Sequence, residues 1–243
     1  MTLLGVPLDA VTPDQAVLKI LRLLEGNRQH QVCTPNNEMI VESACNPTFR
    51  RILKDSSFNI PDSTGLLWMA RVTHQRLPVR VTGTDTLERL CRILTADHPV
   101  FLLGARPGVA EKAALILKGR NPRLKIVGTF AGSPRERDAQ DIIARVNASN
   151  ATLLFVAYGS PAQEVWINRY LPSFTSVRVA MGVGGALDFV AGVQKRAPGF
   201  LQSIGLEWLW RLVHEPKRWR RIWNAVVVFP SLVMRFGREA PVG

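Results

Sequence analysis

The sequence predicts an α/β fold, a parallel sheet with helices on both faces, followed by an amphipathic helical appendage at the C-terminal end. Three observations predict it. From residue 100 to 181, short aliphatic runs alternate with segments of helical period, the pattern of parallel strands joined by crossover helices. The 243 residues, 47% hydrophobic, are enough to build one large core with something attached. The composition then shifts after Arg196, where the remaining chain carries four of the six Trp residues and a cluster of Arg. The expected division is a core over 1–196 and an appendage over 197–243.

The elements follow in order. Residues 14–25 place Ala16, Val17, Ile20, Leu21 and Leu24 on one helical face, with Pro13 near the start where a first turn tolerates it. A strand-like run at 31–34 is followed by helical stretches at 36–44 and 47–54. A buried-strand candidate at 58–61 ends in the turn Pro61-Asp62-Ser63, and helices are expected at 65–71 and 85–96. Strands then read at 100–104, 124–130, 152–158 and 177–181. Helices read at 109–120, 138–149 and 162–171. Ligands of such sheets bind beyond the carboxyl ends of the strands. Weight therefore falls on 34–38, on Asp62, and on 104–108, 159–164 and 182–188.

Composition narrows the function classes. Cys33, Cys45 and Cys91 are odd in number and lack CxxC spacing, which reads as reduced thiols rather than a disulfide framework. The net charge of +12 favours anionic partners: nucleic acid, an anionic membrane or a phosphate-bearing substrate. The first residues show no basic segment leading into an apolar one, so no signal peptide is expected. The apolar stretch 225–236 is too short to span a bilayer and contains Pro230.

The motifs are individually modest. Thr34-Pro35-Asn36-Asn37-Glu38 opens a helix after a strand; its side chains fit sugar hydroxyls or phosphate, and equally fit plain capping. Asp62 suits a general base, or a turn aspartate bonded to its own backbone. In Ser160-Pro161-Ala162-Gln163 the spacing predicts a capping box, with Gln163 and Glu164 at the mouth of the sheet. The glycines of Gly182-Val183-Gly184-Gly185-Ala186 allow backbone amides near a diphosphate, but neither they nor Gly104-Ala105-Arg106-Pro107-Gly108 form a dinucleotide fingerprint. There is no DxD triplet and no HExxH. His30, His74, His98 and His214 are scattered, so no metal is expected. A diphosphate leaving group would then need Arg, Lys or helix amides, which the Arg-rich tail can supply.

Taken in this order, the motifs resemble the WecG/TagA/CpsF family of bacterial glycosyltransferases over nearly the whole chain. The stretches that carry the resemblance are Gly5-Val6-Pro7-Leu8-Asp9, Thr34 to Glu38, Pro61-Asp62, Arg80-Val81-Thr82-Gly83-Thr84-Asp85, Gly159 to Ile167 and Gly182 to Arg196. To these the tail adds Gly205-Leu206-Glu207-Trp208-Leu209-Trp210-Arg211 and Glu215-Pro216-Lys217-Arg218. The resemblance implies a Rossmann-like core and an inverting transfer from a UDP-sugar, such as UDP-N-acetylmannosamine, its uronic acid or UDP-glucose, with no cofactor. The acceptor it implies is a polyprenyl-diphosphate-linked sugar, for cell-surface polysaccharide at the cytoplasmic face of the inner membrane.

By motif, Asp62 is the catalytic base, with Thr34 and Asn36 beside it. Arg80 and Gln163, with the Gly184-Gly185 turn, belong to the donor site, and Arg211, Arg218 and Arg221 close on the diphosphate. A homo-oligomer is compatible with this reading. One departure stands out: the family usually has Asp-Gly where this chain has Asp62-Ser63, which puts the aim of Asp62 in question if the turn requires left-handed backbone.

Two other classes compete. A nicotinamide-dependent oxidoreductase fits the α/β pattern but lacks the fingerprint. A nucleic-acid-binding module fits the charge. However, the basic residues Lys217, Arg218, Arg220 and Arg221 share a helix with Trp219, Ile222, Trp223, Val226 and Val227, an amphipathic pattern that suits an anionic membrane surface better.

Overall fold

The structure, a computed structural model, describes residues 1–199, 201, 207–214 and 219–241. A small antiparallel pair, β1 (Thr2–Leu3) and β2 (Val6–Pro7), opens the chain. Helix α1 (Pro13–Glu25) begins with a full capping box between Thr12 and Gln15 and carries Pro13 in its first turn. The main sheet has six strands, all parallel, in the order β4-β3-β8-β7-β5-β6. They are β3 (His30–Cys33), β4 (Phe58–Asn59), β5 (Val100–Gly104), β6 (Ile126–Phe130), β7 (Leu153–Ala157) and β8 (Val179–Gly182). The Rossmann-like expectation is borne out.

Alternation along each strand sends side chains to opposite faces. Val100 and Leu102 join one core with α1, α5 (Gly83–Ile93), α6 (Val109–Arg120) and α9 (Ala186–Val190). Phe101 and Leu103 join a second, with α7 (Glu136–Ser149) and α8 (Ala162–Tyr170). A third core gathers β1, β2, α2 (Asn37–Cys45), α3 (Pro47–Asp55), α4 (Thr64–Val72) and the end of the chain.

Connectivity positions the site. The chain lays down β3 and β4, crosses to β5 on the far side, and returns at β8 to pair with β3. The β3–β8 boundary is where the strand order breaks, and a crevice opens beyond the carboxyl ends of strands at such a point.

The C-terminal segment contains α10 (Glu207–His214), α11 (Trp219–Trp223), a π turn (Asn224–Val228) and α12 (Phe229–Phe236). Pro230 has no N–H and its ring crowds the preceding turn. The helix widens just before it, with Phe229 N donating to Asn224 O. Among the residues read as the apolar stripe, Ile222 is buried, whereas Trp219 and Trp223 are 55% and 56% exposed. The burial is instead supplied after the π turn, where Phe229 and Val233 enter the third core beside Leu3, Leu4 and Leu53. Leu4 N and Gly5 N donate to Gly237 O and Arg238 O, which ties the two ends of the chain together. Lys217 and Arg218 lie outside the described residues. Among the described residues, no helix is long and apolar enough to cross a membrane.

Candidate active site

A cavity of about 270 Å³ opens at the β3–β8 boundary. It brings together Thr34, Asn36, Asp62, Arg80, Gln163, Gly184, Gly185 and Arg221 from distant parts of the sequence. Of the other two arginines proposed from the sequence, Arg218 lies outside the described residues. Arg211 falls on α10, but its side chain is also outside them.

Thr34 ends β3. It is buried, and its Oγ1 donates to Gly182 O at 3.2 Å, joining the ends of β3 and β8. Asn36 caps α2 by accepting from Met39 N at 3.0 Å, so the capping reading of this motif holds and the residue still lines the cavity.

Asp62 is not bonded to its own turn. Its N–H donates to Pro35 O at 2.8 Å, and its Oδ2 accepts from Gly83 N at 2.9 Å in the first turn of α5. The residue is thus held at its backbone by the loop after β3 and at its carboxylate by a helix N-terminus. Ser63 has φ −155° and ψ 149°, an extended conformation open to any residue, so its replacement of glycine leaves the turn unstrained. Its hydroxyl donates to Asn37 Oδ1 at 2.6 Å, and Asn37 Nδ2 donates to Ala225 O in the π turn at 2.8 Å. Gly65 permits this chain, since a Cβ there would collide with the Asn37 amide.

Arg221 pairs with Glu38 of α2 at 2.6 Å. Together with the Asn37–Ala225 bond, this fastens the tail helix across the mouth of the cavity.

The expected capping box at Ser160 is absent. The position before α8 is Pro161, with no side-chain cap. Gln163 has turned inward: its Oε1 accepts from Gly159 N at 3.1 Å and from Gly184 N at 3.0 Å, and its Nε2 donates to Glu164 Oε1 at 2.7 Å. Two partly buried backbone N–H groups need an acceptor, and Gln163 Oε1 supplies it. The Gly184 amide, one of those expected to face a diphosphate, is therefore engaged inside the protein.

Behind Arg80, Arg196 donates to Asp85 at 2.7 Å, and Thr82 Oγ1 caps α5 through Asp85 N. Burial alone would raise the Asp85 pKa. The Arg196 and Thr82 hydrogen bonds and the charges of Arg196 and Arg80 outweigh it and hold the carboxyl below the usual range. A lowered folded-state pKa adds stability above the unfolded value, and that stability is lost as pH falls through the folded one. Asp85→Asn should therefore flatten the acid limb of a melting-temperature profile below about pH 5. An unchanged acid limb would show that the pair contributes nothing.

Sequence reasoning passed over Asn37, Ser63, Thr84 and Gln194 as individual lining residues, although each sits in or beside a motif already singled out. Ala225 and Val226 reach the cavity only because the tail folds back, which no local pattern signals. Among the described residues, no three His, Cys, Asp or Glu side chains converge as a metal site.

The family model described as "Glycosyl transferase WecG/TagA/CpsF family" matches residues 1–240. An N-acetylglucosaminyldiphosphoundecaprenol N-acetyl-beta-D-mannosaminyltransferase of Bacillus subtilis (strain 168) is 31% identical over 192 residues, covering 79% of this chain and 74% of the relative. A protein of the same name from Bacillus spizizenii is 32% identical over 202 residues, with coverages of 82% and 77%. Another, from Staphylococcus aureus (strain MRSA252), is 30% identical over 242 residues, with coverages of 98% and 93%. The match runs through every stretch that builds the cavity, and the chain belongs to the WecG/TagA/CpsF family of glycosyltransferases.

Proposed function

We propose that this protein is an inverting glycosyltransferase that moves a sugar from a UDP-sugar to a polyprenyl-diphosphate-linked sugar at the cytoplasmic face of the bacterial inner membrane. The observation that carries this reading is the Asp62 carboxylate, held by the Gly83 N–H at a cavity that also presents Arg80 and Arg221. The acceptor hydroxyl oxygen attacks the anomeric carbon from the face opposite UDP. Asp62 takes the hydroxyl proton, the bond from the anomeric carbon to the β-phosphate oxygen breaks, and UDP leaves with the bonding electrons. Arg80 and Arg221, with Arg211 and Arg218 assigned by motif, meet the charge that grows on the diphosphate. For Arg221 this requires exchanging Glu38 for phosphate.

The named relatives point to N-acetylmannosamine as the first sugar to test and to N-acetylglucosaminyl-diphospho-undecaprenol as the first acceptor. A panel of UDP-sugars, run against that acceptor with analysis of the anomeric product, tests donor and stereochemistry together. Transfer from no UDP-sugar, or a product of retained configuration, would overturn the reading.

We further expect activity without a divalent cation, with cationic side chains in the place a metal would take at the diphosphate. Turnover should persist after exhaustive chelation. A loss restored by Mg²⁺ or Mn²⁺ would refute this.

A further inference from the structure

Beneath the cavity lies a carboxyl group that the mechanism does not use. Glu164 is fully buried in the first turn of α8. Its Oε1 accepts from Gln163 Nε2, while its Oε2 makes no hydrogen bond among the described residues. Its backbone carbonyl accepts from Gln31 Nε2 at 2.9 Å. The Gln163–Glu164 pair lies against Gly182, where a Cβ would stand 2.6 Å from Gln163 Nε2 and 2.9 Å from Glu164 Oε1. Glycine at the end of β8 is what makes room for it.

The orientation of the Gln163 amide is fixed by its surroundings. Two backbone N–H groups, those of Gly159 and Gly184, point at one end, so that end must be the oxygen. The NH₂ end then needs an acceptor, and Glu164 Oε1 provides it. The flipped amide would set donors against both backbone N–H groups. We infer that Glu164 is a positioning residue: its carboxyl oxygen locks the Gln163 amide, which staples the Gly159 loop to the Gly184 loop and so shapes the wall of the cavity.

The surroundings favour the neutral form. Burial is the leading cause that raises the Glu164 pKa; the Gln163 hydrogen bond, first among the opposing causes, does not overcome it. Among the described residues, the Cys33 thiol on β3 is a titratable neighbour, itself pushed well up by burial first and by the Glu164 charge second. Helix α3 also packs on α8, but its Arg51, Lys54 and Asp55 are exposed, and Arg50 turns to Pro241 O. A raised folded-state pKa gives stability that is complete below the ordinary Glu value and is lost as pH rises toward the raised one.

The role of the staple in donor binding rests on the proposed function; the staple itself does not. Two variants separate them. Glu164→Gln keeps the acceptor and can never ionise. It should bind UDP within about twofold of wild type, and its melting temperature relative to wild type should climb by at least about 2–4 °C between pH 5 and pH 8. Glu164→Leu removes the acceptor and leaves the Gln163 NH₂ buried without a partner. Its UDP affinity should fall about tenfold, and amide hydrogen exchange at Gly159 and Gly184 should speed up. Unchanged exchange at both glycines in Glu164→Leu, or equally quickened exchange there in Glu164→Gln, would overturn the inference. If exchange quickens as expected while wild type itself binds no UDP, the staple stands and the donor-site reading fails.

Discussion

Asp62→Asn is expected to lower transfer by about 10²–10⁴-fold while leaving UDP affinity within a few-fold of wild type. The asymmetry follows from what the substitution keeps. Asparagine retains an oxygen able to accept from Gly83 N, the bond that aims the side chain, and Asp62 N can still donate to Pro35 O. The loop geometry should survive, and with it the proposed contacts of Arg80 and Arg221 to the diphosphate. What is lost is the basic oxygen, and an amide cannot take the acceptor's proton in the transition state. Turnover with saturating donor and acceptor measures the first quantity, and calorimetry with UDP the second. Near-normal turnover in the folded variant would remove Asp62 from the mechanism. A parallel collapse of UDP affinity would mean that the residue serves binding instead.

The parts of this site that were legible in sequence are those set by local chemistry. Strand 100–104 and helix 109–120 were read to the residue, because a short aliphatic run bounded by glycine and a regular helical period admit few alternatives. Asp62 was found because it follows a buried strand. Only Phe58 and Asn59 of that strand pair in the regular ladder, at the sheet edge, with Ile60 N reaching Cys33 O beyond it.

The misses are non-local. Ser160 and Gln163 have the spacing of a capping box, but Gln163 is claimed by Gly159 and by Gly184, which lies 21 residues away. Glu38 and Arg221 are 183 residues apart, and nothing in either neighbourhood announces the other. The doubt over Ser63 came from supposing that family glycine marks left-handed backbone; here the position is extended, and the hydroxyl gains Asn37 as a partner. In the tail, the helical period predicted an apolar stripe of Trp219, Ile222, Trp223, Val226 and Val227, of which only Ile222 is buried; it could not say that the core contact would come instead from Phe229 and Val233, beyond the π turn.

That contrast shapes the last prediction, which concerns membrane docking. Truncating the chain near Gly199 is a poor test, because it also strips Phe229 and Val233 from the third core, and one buried Phe alone is worth about 3–5 kcal/mol. The exposed residues give a cleaner one. Trp219 and Trp223 stand one helical turn apart and are more than half exposed, and Arg220 lies over the Trp219 ring at 5.4 Å. Indole rings favour the boundary between water and lipid, and each basic side chain near an anionic leaflet adds about 1 kcal/mol.

We therefore expect Trp219→Ser with Trp223→Ser to leave the melting temperature within about 2 °C of wild type, since neither ring is in the core. Partition onto anionic vesicles should fall roughly tenfold or more, the factor that follows from losing about 1.4 kcal/mol. Wild-type partition should itself weaken as salt is raised. Transfer to a long-chain acceptor embedded in those vesicles should fall with partition, whereas transfer to a short, water-soluble analogue should be unchanged, because the Asn37–Ala225 and Glu38–Arg221 links to the cavity are untouched. Unaltered vesicle partition would rule out the two rings as the docking surface. An equal loss on both acceptors would assign them to the closure of the active site instead.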